Sequence, residues 1–219
     1  MKYAITPMGH ACVLVSNDRG SLIIDPGSFT AASALEASSN ILITHEHFDH
    51  VNPALVSAHM DAHHDVHVWA PSDTVAALTQ AGADAARVHE VAPGESFDAG
   101  GMSVSVLGGK HAVMFDDVPA SQNVAFLIDG KILHPGDSFP DVAAETRVEV
   151  LMLPVAAPWL VVNDVVKYAK KINATVSFPI HDAILSETGQ SVFDKIVGSK
   201  PGMPDYRRVP IGETLHAEF

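Results

Sequence analysis

Apolar and polar residues alternate along this chain in short blocks, and the blocks predict strands more often than helices. Lys2 to Ile5 and Cys12 to Ser16 read as strands, with Pro7-Met8-Gly9-His10 between them. Asn17-Asp18-Arg19-Gly20 is a turn signal, and Ser21 to Ile24 is the next strand, ended by Asp25-Pro26-Gly27. The opening is therefore a β-meander. A helix is expected from Phe29 to Ala37 with Ser28 as its cap. The apolar run Ile41-Leu42-Ile43 reads as a short buried strand. Asn52-Pro53 reads as a helix start, Asn as N-cap and Pro in the first turn, with the helix running to about Asp61.

Further on, Val66 to Trp69 reads as a strand, and Ser72 is expected to cap a helix through Gln80, stopped by Gly82. Arg87–Val91, Glu95–Asp98 and Met102–Leu107 are strand-like. Asn123–Ile128 and Lys131–His134 flank Asp129-Gly130, a strong two-residue hairpin signal. Val148–Leu153 and Thr175–Phe178 are strands. An amphipathic helix lies between them over Val162–Ile172, with Lys167, Lys170 and Lys171 on its outer face. A last helix is expected near Gln190–Val197, and strands at Arg207–Pro210 and Glu213–His216. No linker or repeat divides the chain, so residues 1–219 are expected to form one domain. The pattern suggests two mixed sheets packed face to face with helices outside; periodicity alone leaves α/β and α+β open.

Composition narrows the function. The chain carries a formal charge of −13 with His neutral, and an acidic surface repels phosphate backbones, so no nucleic acid partner is expected. No apolar window is long enough for a membrane span, and the N-terminal segment has no secretory pattern. Cys12 is the lone cysteine, which fits a cytoplasmic location and reads as a small core residue. Nothing in the sequence fixes the oligomeric state, and a homo-oligomer fits it as well as a monomer.

The chemistry concentrates in Thr44-His45-Glu46-His47-Phe48-Asp49-His50, directly after the Ile41–Ile43 strand. Neutral imidazole is a good ligand for zinc and similar metals. His45 and His47 point to one side of an extended backbone; Asp49 keeps that parity and His50 breaks it, so the pairs can serve two neighbouring ions. His111, Asp137 and His181 each follow another predicted strand, and loops at one end of a sheet scaffold can converge. Phe48 reads as a packing residue anchoring its loop. The run His59, His63, His64 and His67 reads as a solvated helix end, because no acidic or cysteine set is spaced beside it.

These residues, His45-x-His47-x-Asp49-His50 followed by His111, Asp137 and His181 in that order, resemble the metallo-β-lactamase-fold hydrolases. The segments around His10, Asp25, Asp137 and His181 look closest to the ascorbate-6-phosphate lactonase-like branch. The resemblance implies an αββα sandwich with a dinuclear site between the sheets. By that resemblance His45, His47 and His111 hold one metal, Asp49, His50 and His181 the other, and Asp137 bridges. It implies two divalent ions, most simply Zn2+, with Mn2+ or iron as alternatives, and hydrolysis of a small-molecule ester, lactone or phosphoester. Asp49 is then also the catalytic carboxylate that orients the attacking water, and activity should fall in acid as ligands protonate. His10 is a candidate substrate-binding residue, Asp25 a candidate partner for a ligand imidazole, and His134 a packing or supporting residue. Met114, Phe115 and Trp159 are candidates for the pocket wall. The competing expectations are a diiron redox enzyme on the same fold, disfavoured because His47 and His50 are both imidazoles, and a non-catalytic metal-binding protein.

Overall fold

The computed structural model of the chain describes residues 1–117 and 119–219. It opens with the expected meander: β1 (Lys2–Gly9), β2 (Cys12–Asn17) and β3 (Gly20–Ile24) run antiparallel. The same sheet continues in parallel through β4 (Asn40–Leu42), β5 (His67–Ala70) and β6 (Val88–Glu90). Parallel neighbours need a long crossover, and α1 (Pro53–Ala62) and α2 (Ser72–Gln80) supply it within this sheet.

The second sheet starts antiparallel with β7 (Ser96–Ala99), β8 (Met102–Gly108), β9 (Val124–Ile128) and β10 (Ile132–His134). It turns parallel through β11 (Val150–Pro154), β12 (Val176–Ile180) and β13 (Asp205–Tyr206), crossing over by α3 (Val162–Ile172) and α4 (Glu187–Gly198). The chain then returns to the first sheet, where β14 (Leu215–Glu218) pairs with β1. Each sheet has seven strands, in the orders β14-β1-β2-β3-β4-β5-β6 and β13-β12-β11-β10-β9-β8-β7.

Alternation along the strands explains the layering. Successive side chains point to opposite faces. Leu22 and Ile24 enter the core between the sheets while Ile23 faces α1 and α2; Leu42 goes in while Ile41 and Ile43 go out. In the second sheet Val150 and Met152 face the first sheet, and Leu151 and Leu153 face α3 and α4. Strands apolar on both faces can only lie between two covering layers. The result is the α+β sandwich of two mixed sheets with helices on the outer faces that the sequence implied.

Several boundaries differ from expectation, each for a local reason. The predicted helix over 29–37 is only a 3-10 stretch, Ala32–Ala37, with no side-chain cap. Residues before it are committed elsewhere: the Ser28 N–H donates to the Phe48 carbonyl at 2.8 Å, and Thr30 Oγ1 donates to the Gly9 carbonyl at 3.2 Å. Ser72 does not cap its helix; Pro71 holds that position and Ser72 Oγ donates to Gln122 Oε1. The strand expected over 87–91 is shortened to β6 by a 3-10 turn, Ala85–Arg87, capped by Asp84. The last helix starts earlier than expected, at Glu187, because Ser186 caps it by accepting from the Gly189 N–H. Residues 207–210 form no strand; within them the Arg208 side chain makes ion pairs with Asp182 and Asp194.

No helix among the described residues is long and apolar enough to cross a membrane. The two sheets are joined at one edge by main-chain bonds: the Val124 N–H donates to the Thr44 carbonyl at 2.9 Å, and the His181 N–H to the His10 carbonyl at 3.0 Å. That edge carries the candidate site.

Candidate metal centre

The loop after β4 runs Thr44 to His50 and is packed from below by main chain. A Cβ at Gly27 would stand 2.0 Å from the Asp49 carbonyl oxygen, so only glycine lets the loop sit there. Gly136, at φ +60°, is closed in the same way: its Cβ would lie 2.4 Å from Asn123 Oδ1. Non-glycine residues with positive φ among the described residues are His10, Asp25, Asp129, Asn173 and His181. Asp129 belongs to the hairpin turn and Asn173 ends α3, but His10, Asp25 and His181 all line this edge. Left-handed backbone costs such residues of order 1 kcal/mol or more, and it persists where surrounding structure enforces it.

The sequence-predicted donors do meet. His45, His47 and His111 bring ligand atoms within 4.8 Å of one another, as do His10, Asp49, His50 and His181, and as do His45, His50 and Asp137. His45 and His50 belong to neighbouring groupings, and their ring centroids are 4.0 Å apart. Inter-donor distances are short: His45 Nε2 to His47 Nδ1 3.1 Å, His50 Nε2 to Asp137 Oδ1 3.2 Å, His111 Nε2 to Asp137 Oδ2 3.3 Å, and His181 Nε2 to Asp49 Oδ2 3.3 Å. Zinc bonds of about 2.0–2.1 Å make tetrahedral edges of about 3.3 Å. The Nε2 atoms of His50, His111 and His181, and Oδ1 of Asp137, are buried and make no hydrogen bond of acceptable angle. Buried polar atoms are rarely left orphaned without cause. Here the cause fits a cation: the atoms point at a common space rather than at each other.

The opposite ring nitrogens are braced, which fixes the tautomers. His50 Nδ1 donates to Asp25 Oδ2 at 2.7 Å, His111 Nδ1 to the Ala112 carbonyl at 2.6 Å, and His181 Nδ1 to the Ala156 carbonyl at 2.6 Å. His45 Nδ1 lies 3.0 Å from Thr44 Oγ1, whose own proton goes to Asp25 Oδ2 at 2.7 Å. In the neutral ring the lone pair therefore falls on Nε2, the form that ligates metal. Asp25 is fully buried and also accepts the Thr44 N–H at 2.7 Å, so it is the partner the sequence suggested.

The other candidates fall as follows. His10 is buried; its Nδ1 accepts the Ala183 N–H at 3.3 Å, and its Nε2 lies 3.1 Å from Asp49 Oδ2. His134 spends both nitrogens on main chain, donating to the Ala11 carbonyl and accepting from the Gly136 N–H. Trp159 meets the cluster directly: its Nε1–H donates to Asp137 Oδ2 at 3.0 Å. Phe48 is 63% exposed, not a packed anchor; its ring meets the Phe29 ring edge-on, with centroids 5.4 Å apart. Thr44 and Asn123 escaped sequence reasoning. Asn123 Nδ2 donates to the Pro135 carbonyl and Oδ1 accepts the Asp137 N–H, holding the turn that presents Asp137. Nothing in the sequence around Asn123 signals this.

Electrostatics of the metal-free cluster are strongly perturbed. Burial holds the His45 ring well below the ordinary imidazole value and lowers His47 and His10. Burial also opposes charge on His50, but Asp137 and Asp25 outweigh it and push its pKa up to about 10. His181, beside Asp137 and Asp49, is pushed up to about 9 against the same burial penalty. Burial disfavours the Asp49 and Asp137 carboxylates, yet the surrounding imidazoles hold both well below the usual range. A dication in this space would replace the protons on His50 and His181.

Fold and donor set together define a metallo-β-lactamase-fold protein with a candidate metal centre at the sheet edge. Residues 4–181 match the beta-lactamase superfamily domain, and the chain belongs to that superfamily. It is similar to protein Rv0786c of Mycobacterium tuberculosis, 28% identical over 195 residues that cover 86% of this chain and 88% of that one. In structure it resembles Igni18, described as a novel metallo hydrolase from Ignicoccus hospitalis, with a TM-score of 0.74, 22% identity and full coverage of both chains. It also resembles CmlA, a diiron β-hydroxylase from Streptomyces venezuelae, with a TM-score of 0.66 and 16% identity over 99% of this chain and 54% of that one.

Proposed function

We propose that this protein is a metal-dependent hydrolase working through two divalent ions, zinc foremost, on a small ester, lactone or phosphoester. The carrying observation is the set of orphaned Nε2 lone pairs facing Asp137, each on a ring braced from behind. His45, His47 and His111 would hold one ion, Asp49, His50 and His181 the other, with Asp137 shared. The set is rich in imidazole, which suits zinc better than magnesium or manganese. When bound, such a pair supplies a water acidified toward neutrality and polarises the electrophilic oxygen.

The chain's own groups do the rest. Asp49, with His10 Nε2 at 3.1 Å, would orient the attacking water and receive its proton. Trp159 fixes Asp137 through its indole N–H. A cavity of about 250 Å³ beside His47 and His111 is walled by Met114 and Phe115. Another of about 310 Å³ beside His10 is walled by Phe29, Val209 and Ile211, and its Arg208 is tied to Asp182 and Asp194. Apolar walls, and an arginine already paired, favour a neutral ester or lactone over a phosphoester.

The test is elemental analysis of purified protein paired with a panel of lactones, esters and phosphoesters, before and after chelation. Hydrolysis lost on chelation and restored by zinc is the expected result. Bound iron with a visible absorption band and no hydrolysis across the panel would favour a diiron reading, for which the likeness to CmlA is the one supporting observation.

A further inference from the structure

Away from the cleft, His59 lies in the last turn of α1, and His63 follows as its C-cap with an extended backbone. Their ring centroids lie 4.4 Å apart. The acidic partner that local spacing did not supply comes from elsewhere in the chain: Glu36, on the 3-10 stretch Ala32–Ala37. Glu36 Oε1 is 3.7 Å from His59 Nδ1, and Oε2 is 3.7 Å from His63 Nε2. Both distances are too long for hydrogen bonds, yet one donor atom from each residue falls within 4.8 Å of the others. The three residues open into a polar cavity of about 290 Å³, on whose wall Asp65 is held by a 2.5 Å hydrogen bond from Ser39 Oγ.

Two simpler explanations cover only part of this. A histidine in the last turn of a helix complements its dipole, which accounts for His59 but brings neither His63 nor Glu36 to it. A surface ion pair accounts for Glu36, but such pairs contribute about 0–1 kcal/mol at most. Glu36 is 62% exposed and the His63 side chain 42%, so water would serve each as well as the other. Two imidazoles with a carboxylate opposite, their donor atoms within 4.8 Å of one another, are, however, a ligand set that zinc takes up, with a further position left for water.

We propose that Glu36, His59 and His63 form a separate binding site for zinc or a similar borderline divalent ion, stapling α1 to the 3-10 stretch. Both elements support the cleft. α1 begins just past His50, and the 3-10 stretch follows the Gly27 turn on which the ligand loop rests. An ion at this corner stiffens the frame of the ligand loop without touching the cleft. The site stands whether or not the protein is a hydrolase.

The experiment is a zinc titration of chelator-stripped protein, comparing wild type with the double variant E36Q/H63A and with E36Q alone. All altered side chains are substantially exposed, so the fold should persist, and circular dichroism checks it. Wild type is expected to bind one more equivalent of zinc than E36Q/H63A. With cobalt substituted for zinc, the difference spectrum between the two should show a site with nitrogen ligands. E36Q alone should weaken that extra equivalent at least tenfold while leaving the tighter equivalents unchanged. Equal stoichiometry in wild type and double variant overturns the proposal. So does a lost equivalent that belongs to the tight class, since that would place the ion in the cleft.

Discussion

Two groups of histidines in this chain use the same side-chain chemistry under opposite conditions. In the cleft, His50, His111 and His181 each give one nitrogen to a carboxylate or main-chain carbonyl and keep the other bare. At the α1 corner, His59 and His63 face each other and an exposed carboxylate. The cleft rings are held from behind by hydrogen bonds, which leaves them little rotamer freedom to lose on binding. The corner must order its side chains as the ion binds, and long side chains such as glutamate cost up to about 2 kcal/mol each to fix. Burial and bracing, more than the number of imidazoles, should therefore separate a tight centre from a weak one.

The strongest way to break that contrast is at the carboxylate facing three cleft imidazoles. Asp137→Ala should remove metal from the cleft and lower activity by more than the 10–100-fold typical of losing an outer partner. Metal content and kcat on matched, folded samples check it, and wild-type metal loading would refute it. Asp25→Asn keeps the shape but removes the charge behind His50, and cleft affinity should weaken by about 10–100-fold in competition with a chelator. If Asp25→Asn cost no more affinity than a change at the corner, bracing would not be what separates the two sites.

Acidity offers a third, smaller test. Without metal, the raised pKa values of His50 and His181 contribute stability that is complete below about pH 6.5 and is lost as pH rises through about 9 and about 10. The depressed Asp49 and Asp137 contribute stability present above the ordinary carboxylate value and lost as pH falls through their lower folded values. Zinc needs unprotonated imidazole, so it reverses the alkaline limb. The rise in Tm caused by zinc should be larger at about pH 9 than at about pH 6, and thermal melts with and without chelator decide. The smallest effect is expected at Phe48→Ser. An exposed ring should change stability by no more than about 0.5 kcal/mol, and denaturant unfolding measures that directly.

The order of strands and the donors after them were readable because both are local signals. Alternation marked the meander and the hairpin at Asp129-Gly130, and the candidate ligand residues sit just past strand ends. What escaped was non-local. Glu36 meets His59 and His63 only because a 3-10 stretch and a helix pack on the same face of the first sheet. Asn123 fixes Asp137 across a turn, and Thr44 links His45 to Asp25 through one hydroxyl; neither residue type announces such a role. Phe48 misled because an aromatic between two ligands suggested packing, whereas its place on the loop leaves it facing solvent. The 29–37 helix failed because neighbouring turns claimed the residues that would have capped it.

The main-chain bonds that join the sheets, Val124 to Thr44 and His181 to His10, lie on the seam where the donors gather. Four of the donor residues, His45, His47, Asp49 and His50, lie on the loop after a strand of the first sheet, while His111, Asp137 and His181 follow strands of the second. A chain synthesised from its N-terminus therefore cannot close the centre until residue 181 is in place. Capture of an ion by the full set would then report that the two halves have found each other. Fragments divided between the sheets should hold metal poorly apart and recover it when mixed.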